Sequence, residues 1–347
     1  MYSYDLFVLN YSEKLANVRL MYSKRLNIMD LKEKIVSAIT SAIVGDALGV
    51  PVEFTPRSEL SLCSVKNMLG YGRYDQPQGT WSDDSSMILC TMESLCKGYD
   101  IENLGETFCR WLFEAHWTPA GFVFDSGITT FMALDRIVTE GISARESGCG
   151  SEDDNGNGSL MRILPAALYF HGEPTDIFLE RIHEISSITH SHARSCVGCG
   201  IYSLFIRELL FTDDKNGALR QAVSKALEYY NSKPQYKDEL SHFKRVLTFE
   251  VPGLDESAIG STGYIVDTLE AAIWCYMRLN ATNEILLAAV NLGLDTDTTG
   301  TVAGGLAGLS HGISAIPEAW LKSIVRKTEI DDITSAFADV IVNRYNH

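Results

Sequence analysis

The sequence is short of positive charge and of long apolar runs. Its 29 Lys and Arg face 45 Asp and Glu, a formal net charge of −16. That deficit excludes a general nucleic-acid or anionic-membrane surface, so any phosphate ligand must be held by a local arrangement of N–H groups. No window approaches the roughly 20 uninterrupted apolar residues of a membrane helix. The opening stretch MYSYDLFVLNYSEKL has no basic residue before Lys14 and is broken by Asp5 and Asn10, which makes a poor signal peptide. GxGxxG, Walker and HExxH motifs are missing too, which disfavours dinucleotide oxidoreductases, P-loop ATPases and zincins. Eight cysteines without a secretion signal read as reduced thiols of a cytoplasmic protein. Cys196-Val-Gly-Cys199 has no second pair to complete a zinc site and reads as small residues on a helix.

What is present is helical periodicity. Leu31, Ile35, Ile39 and Ala42 step by three or four, as do Leu269, Ile273, Tyr276 and Met277, and segments 178–190, 195–211, 217–230, 283–292 and 317–326 follow the same spacing. SYDLFVL near the start is the one fair strand candidate, and no period of 20–50 residues repeats. The expectation is an all-α domain over residues 31–347 behind an extension over 1–30. With four tyrosines and several Leu, Phe and Val, the extension reads as an arm packed on the domain or inserted into a partner. Acidic composition makes a monomer the expectation.

Two polar, glycine-rich loops, 70–86 and 146–160, interrupt these helices and are where a site is expected. Ser82-Asp83-Asp84-Ser85 precedes one apolar helix and Asp295-Thr296-Asp297-Thr298 precedes another. Either run alone reads as a helix N-cap. Together they place four carboxylates and hydroxyls at helix starts in apolar surroundings, where they cannot stay ionised without cations. Hard oxygen donors with no Cys or His beside them select Mg²⁺ or Mn²⁺, and two such ions would balance four charges. Gly300, Gly304, Gly308 and Gly312 then recur every fourth residue. Each costs a helix about 1 kcal/mol, and a neighbouring backbone packed closely along that stripe is the compensation expected. NGNGSLMR (155–162) offers a run of free N–H groups at a helix start, an anion cradle or an ordinary cap. His190, His192 and Arg194 in THSHAR could face a diphosphate.

In this order, GDALGVPVEF (45–54), WSDDSSM (81–87), DSGITT (125–130), NGNGSLMRILPAAL (155–168), ITHSHA (188–193), STGYIVDTLEAAIW (261–274) and DTDTTGTVAGGLAG (295–308) resemble the ADP-ribosylglycohydrolase family. The resemblance is strongest to its dinitrogenase reductase-activating glycohydrolase branch. It implies an orthogonal all-α bundle with a binuclear Mg²⁺/Mn²⁺ site in a cleft. Ser82, Asp83, Asp84, Asp295, Asp297 and Thr298 fall on its ligand positions. Glu53 and Asp125 fall on catalytic carboxylates, with Asp84 a third acid at the reacting centre. Asn157, Gly158 and Ser159 fall on the ADP-ribose-binding loop, His190 on a phosphate-side histidine and Tyr264 on a cleft aromatic. The sequence departs from the family at Ser82, usually threonine, and at Leu294, often glycine. The implied activity is metal-dependent release of ADP-ribose from arginine side chains of modified proteins. Two alternatives follow from the same resemblance. One is an immunity protein that occludes a cognate ADP-ribosyltransferase toxin through the extension. The other is hydrolysis of serine-linked, poly(ADP-ribose) or O-acetyl linkages.

Overall fold

The computed structural model describes residues 28–345, so the extension over 1–27, with its strand candidate, lies outside the described residues. The boundary drawn at residue 31 falls inside a helix, α1 (Ile28–Gly49). Nearly every side chain from Ile35 to Val50 is buried, so this part of α1 is covered all round, the pattern of a core helix. By length and hydropathy Leu31–Val52 would suffice to cross a membrane, yet 83% of that window is buried inside the fold.

Among the described residues three single-turn α-helices lie in the connections, and twelve further helices of six residues or more complete the frame. They are α2 (Asp83–Cys96), α3 (Ile101–Glu114), α4 (Ile128–Glu140), α5 (Leu164–Tyr169), α6 (Thr175–Ser187), α7 (Ala193–Leu209) and α8 (Lys215–Asn231). After a run of short turns come α9 (Ile265–Arg278), α10 (Thr282–Asn291), α11 (Thr296–His311), α12 (Glu318–Ser323) and α13 (Lys327–Tyr345). The periodicity-based expectations coincide with α6 to α12 to within a few residues. Three helices went unmarked: α3, α4 and α13. Local chemistry explains α3, where the Asp100 carboxylate accepts from the Glu102 and Asn103 amides at 3.0 and 3.3 Å. It buries Ile101, Leu104, Phe108 and Trp111 and ends where Ala115 turns left-handed.

The largest helix–helix contact joins α1 to α11, and glycine makes it possible. A Cβ on Gly300, Gly304 or Gly308 would lie 2.4, 2.4 or 2.2 Å from the carbonyl oxygens of Gly45, Ser41 and Ser37. The two helices thus run antiparallel with backbones in direct contact, as the stripe foretold. Gly312 is the exception. It takes φ +67° beyond the end of α11 and stops the helix rather than extending the stripe. Helix α13 packs across both α1 and α2, and the Trp81 indole just before α2 donates to the Val325 carbonyl at 2.9 Å. The eight cysteines are all free.

Candidate functional site

Antiparallel packing brings the C-terminal end of α1 against the N-terminal end of α11. The Gly49 carbonyl accepts from the Thr296 hydroxyl at 2.8 Å, and a Cβ on Gly49 would fall 2.3 Å from the Asp297 amide. Beside this junction lies the start of α2. Ser82 caps it, its hydroxyl accepting from the Asp84 amide at 3.3 Å. Asp46, fully buried near the end of α1, accepts from the Ser82 and Ser85 amides at 3.0 Å and from the Ser85 hydroxyl at 2.5 Å. The Asp46 carboxylate therefore ties α1 to the positive end of α2. Sequence reading passed over Asp46; a lone acid in the otherwise uncharged run from Ile35 to Val50 is the signal it carried.

Around this three-helix junction the expected carboxylates meet. Thr298 donates to Asp84 Oδ1 at 3.3 Å, joining α11 to α2. One oxygen each of Glu53, Asp125 and Asp297 lies within 4.8 Å of the others. Asn157 donates to Asp295 Oδ2 at 2.9 Å and to the Thr268 hydroxyl at 2.8 Å. Glu53 arrives on the turn after α1 and Asp125 on the loop before α4. The turn is fixed by a backbone pair in which the Phe54 amide meets the Leu294 carbonyl at 2.6 Å and the Leu294 amide meets the Thr55 carbonyl at 2.8 Å. Phe54 and Leu294 both hold φ near +60°, a conformation that costs a non-glycine residue about 1–2 kcal/mol.

Electrostatics make this junction unstable on its own. Burial pushes Glu53 up to about 8, with Asp125 adding to the rise, and burial lifts Asp46 to about 6 against its hydrogen bonds. Asp83, Asp84 and Asp297 are raised well above the usual carboxylate range, first by burial and then by neighbouring carboxylates, led by Asp125 for Asp83, Asp46 for Asp84 and Glu53 for Asp297; Asp125 and Asp295 are raised by burial too. The Tyr74 hydroxyl beside Glu53 and Asp125 offsets part of their rise. Tyr74 is another residue the sequence reading left unnamed inside loop 70–86. Glu53 Oε2, Asp84 Oδ2 and Asp295 Oδ1 are buried without a hydrogen-bond partner. Buried, unpartnered, mutually repelling oxygens are the surroundings a hard divalent cation satisfies, so the donor set fits one.

The second loop flanks this centre. Asn157 donates its amide to the Gly263 carbonyl at 2.9 Å, and Asn155 accepts from the Ile265 amide at 3.1 Å. These bonds seat 155–159 on the start of α9 and bring Tyr264 alongside. The amides of Gly158, Ser159 and Leu160 find no acceptor among the described residues, a free N–H run suited to an anion. The Ser159 side chain points away, its hydroxyl buried against Ser186 at 2.9 Å and Cys199 at 3.3 Å. Only its main chain can serve the loop.

His190 packs under Gly158, where a Cβ would lie 2.8 Å from its ring. Burial, with Arg162 nearby, lowers it to about 3, so it is neutral at pH 7. The Thr189 hydroxyl accepts from Arg162 at 2.8 Å and lies 2.8 Å from His190 Nδ1. In the tautomer that takes the Thr189 proton at Nδ1, the ring N–H sits on Nε2 and can donate toward the loop. His190 can offer a hydrogen bond but no charge, and Arg162 and Thr189, which orient it, went unnoticed in the sequence. His192 and Arg194 do not join it. His192 caps α7 by accepting from the Arg194 amide at 3.1 Å, and Arg194 pairs with Glu152 at 2.7 Å and Glu239 at 2.8 Å.

The sequence profile of the ADP-ribosylglycohydrolase family matches residues 27–347. ADP-ribosyl-[dinitrogen reductase] glycohydrolase of Rhodospirillum rubrum is 31% identical over 86% of this chain and 92% of its own length. ADP-ribosylarginine hydrolase Tri1 of Serratia proteamaculans is 29% identical over 87% of this chain and 78% of its own. ADP-ribosylhydrolase ARH3 of Mus musculus is more distant, 24% identical over 84% of this chain. A structure titled ADP-ribosylglycohydrolase-related protein complex superposes with a TM-score of 0.74 at 28% identity, over 90% of this chain and 99% of that one.

Proposed function

Since the chain belongs to the ADP-ribosylglycohydrolase family, we propose that it is a hydrolase that cleaves the N-glycosidic bond between ADP-ribose and an arginine side chain. Two Mg²⁺ or Mn²⁺ ions are the cofactors in this reading. The observation that carries it is the convergence of Glu53, Asp84, Asp125, Asp295 and Asp297 with three buried oxygens left unpartnered. Arginine is preferred because one relative is named ADP-ribosylarginine hydrolase and another is named for a modified dinitrogen reductase.

Ser82, Asp83, Asp84, Asp295, Asp297 and Thr298 would hold the ions, which when bound supply Lewis-acid polarisation of the ribose hydroxyls and of water. The chain's own groups do the rest. Asp46 fixes the helix start that carries Asp83 and Asp84, and Asn157 aims Asp295. The Gly158–Leu160 amides and His190 Nε2–H receive the diphosphate, with Tyr264 walling the cleft. Glu53 and Asp125 flank the scissile carbon, where, once bound cations lower their protonation, their charge would stabilise the oxocarbenium-like transition state. Between them they move the proton of the attacking water and that of the leaving guanidine.

The test is ADP-ribose release from an arginine-ADP-ribosylated protein, with Mg²⁺ or Mn²⁺ and with EDTA. Metal-dependent release that Asp84→Asn and Asp297→Asn abolish, with thermal unfolding preserved, supports the reading. Undiminished release by both variants would remove the metal assignment. Release only from a serine-linked substrate would move the linkage.

A further inference from the structure

Helix α4 faces the wrong way for an ordinary amphipathic helix. It buries Thr130, Ala133 and Leu134 and turns larger apolar side chains outward. Ile128 is 79% exposed, Val138 56%, Met132 50% and Phe131 44%. With Asp135 these residues follow a spacing of three and four, so they form one stripe along one side of the helix. Phe113 on α3 widens it, its ring 6.4 Å from that of Phe131. Large apolar side chains gathered on one exposed face of a helix mark an interaction site. Its place in the fold is specific, because the stripe begins three residues after Asp125.

Charge identifies the occupant. Asp135 lies within the stripe, and exposed Glu106 lies two turns before Phe113 on the same side of α3. Of the nearby cations, Arg110 is paired with Glu93 and Glu114, and Arg136 donates to the Ser147 carbonyl at 2.9 Å. An apolar face that carries acidic side chains complements a protein surface that is apolar with basic residues around it. From Ile128 to Val138 the helix runs about 15 Å away from the site at 1.5 Å per residue. A free ADP-ribosylated amino acid has nothing to place on that length, whereas a folded protein has.

Resting on the arginine-linked reading above, we propose that the outer face of α4, with Phe113, is the docking surface for the folded protein that carries the modified arginine. Its contribution is to hold that protein while the ADP-ribosyl group enters the cleft. The face therefore governs KM for protein substrates and is silent toward small ones.

The experiment compares wild type with Met132→Ser/Val138→Ser, both outward-facing and both remote from the carboxylates; Ile128 is left unchanged because it neighbours Asp125. Substrates are a folded protein ADP-ribosylated on arginine and ADP-ribosylated agmatine. The expected result is a tenfold or greater fall in kcat/KM on the protein, carried by KM, with agmatine hydrolysis within twofold and the thermal midpoint unchanged. Equal loss on both substrates, or no loss on either, overturns the docking role. So does a wild-type dimer that the double variant makes monomeric while protein hydrolysis is unaltered. Wild type inactive on both substrates overturns the arginine reading itself, and the docking proposal with it.

Discussion

Gly304→Ala sets two well-measured effects against each other. In an open helix the change gains about 1 kcal/mol, because alanine restricts the unfolded chain and favours the helix. Here the new methyl would sit 2.4 Å from the Ser41 carbonyl oxygen and 2.9 Å from the Ala42 Cα. Those are backbone atoms of α1 and cannot swing aside as a side chain would. Approaching the ~3.5 Å optimum of non-bonded contact requires the helices to part by roughly 1 Å along the longest interface in the fold. Overpacking of this kind costs about 1–3 kcal/mol, and a backbone-to-backbone clash belongs at the upper end. The net expectation is a loss of about 2 kcal/mol, or about 3 °C in Tm for a chain of this size. Gly253→Ala is the control, since its Cβ would meet nothing within 4 Å and its backbone is not left-handed. Calorimetry on the three proteins, with Mg²⁺ present, gives the answer. A Gly304→Ala protein about 1 kcal/mol more stable than wild type would refute the close-packing argument outright. Gly300→Ala, one turn nearer Asp297, should add a loss of cation affinity that Gly304→Ala shows less.

Three more expectations are open to measurement. Leu294→Gly replaces a residue held at φ +61° by one without a Cβ. It should leave stability unchanged or raise it by up to about 1 kcal/mol; a clear drop in the urea midpoint would contradict the strain assigned there. Asp46→Asn leaves one acceptor oxygen where the carboxylate serves the Ser82 and Ser85 amides and the Ser85 hydroxyl, and should cost about 2 kcal/mol. It should also weaken Mg²⁺ binding by calorimetric titration, and wild-type values for both would dismiss the tying role. Burial lowers His183 from 6.5 to about 3, so it is neutral in the folded protein and takes up a proton on unfolding at acid pH. Its stabilisation is complete above pH 6.5 and is lost as pH falls toward 3, at about 1.4 kcal/mol per unit. The gap in unfolding free energy between wild type and His183→Gln should accordingly shrink from pH 7 to pH 5; a constant gap would count against it.

The helices that pack by an inward apolar stripe were legible because periodicity reports burial, and the polar runs at 82–85 and 295–298 were legible because capping and ligation use the same residue types. Helix α4 escaped for the reason that makes it interesting: its apolar stripe is not its buried side, so periodicity there does not describe packing. Asp46, Tyr74, Arg162 and Thr189 escaped because each acts on a partner that only the tertiary fold supplies. Asp46 reaches Ser85 across 39 positions and Arg162 reaches Thr189 across 27. Ser159 shows the converse, a residue of an expected binding loop whose side chain turns into the core. Arg194 was drawn to the diphosphate by its charge, and the structure gives that charge to Glu152 and Glu239 instead.

The seam between α1 and α11 also has a consequence for synthesis on the ribosome. The Thr296 hydroxyl and the Gly49 carbonyl it meets are 247 positions apart, so the earliest described helix waits for one of the last before its glycine-lined flank is covered. Until then α1 is a long apolar segment without its partner, the kind of surface that slows folding and invites aggregation. No shorter, nascent chain can assemble the acidic centre, because Asp46 and Asp297 are brought together only by that late closure. A cation bound there would thus be recognised only by the finished fold, and would stabilise that state by mass action over every incomplete one.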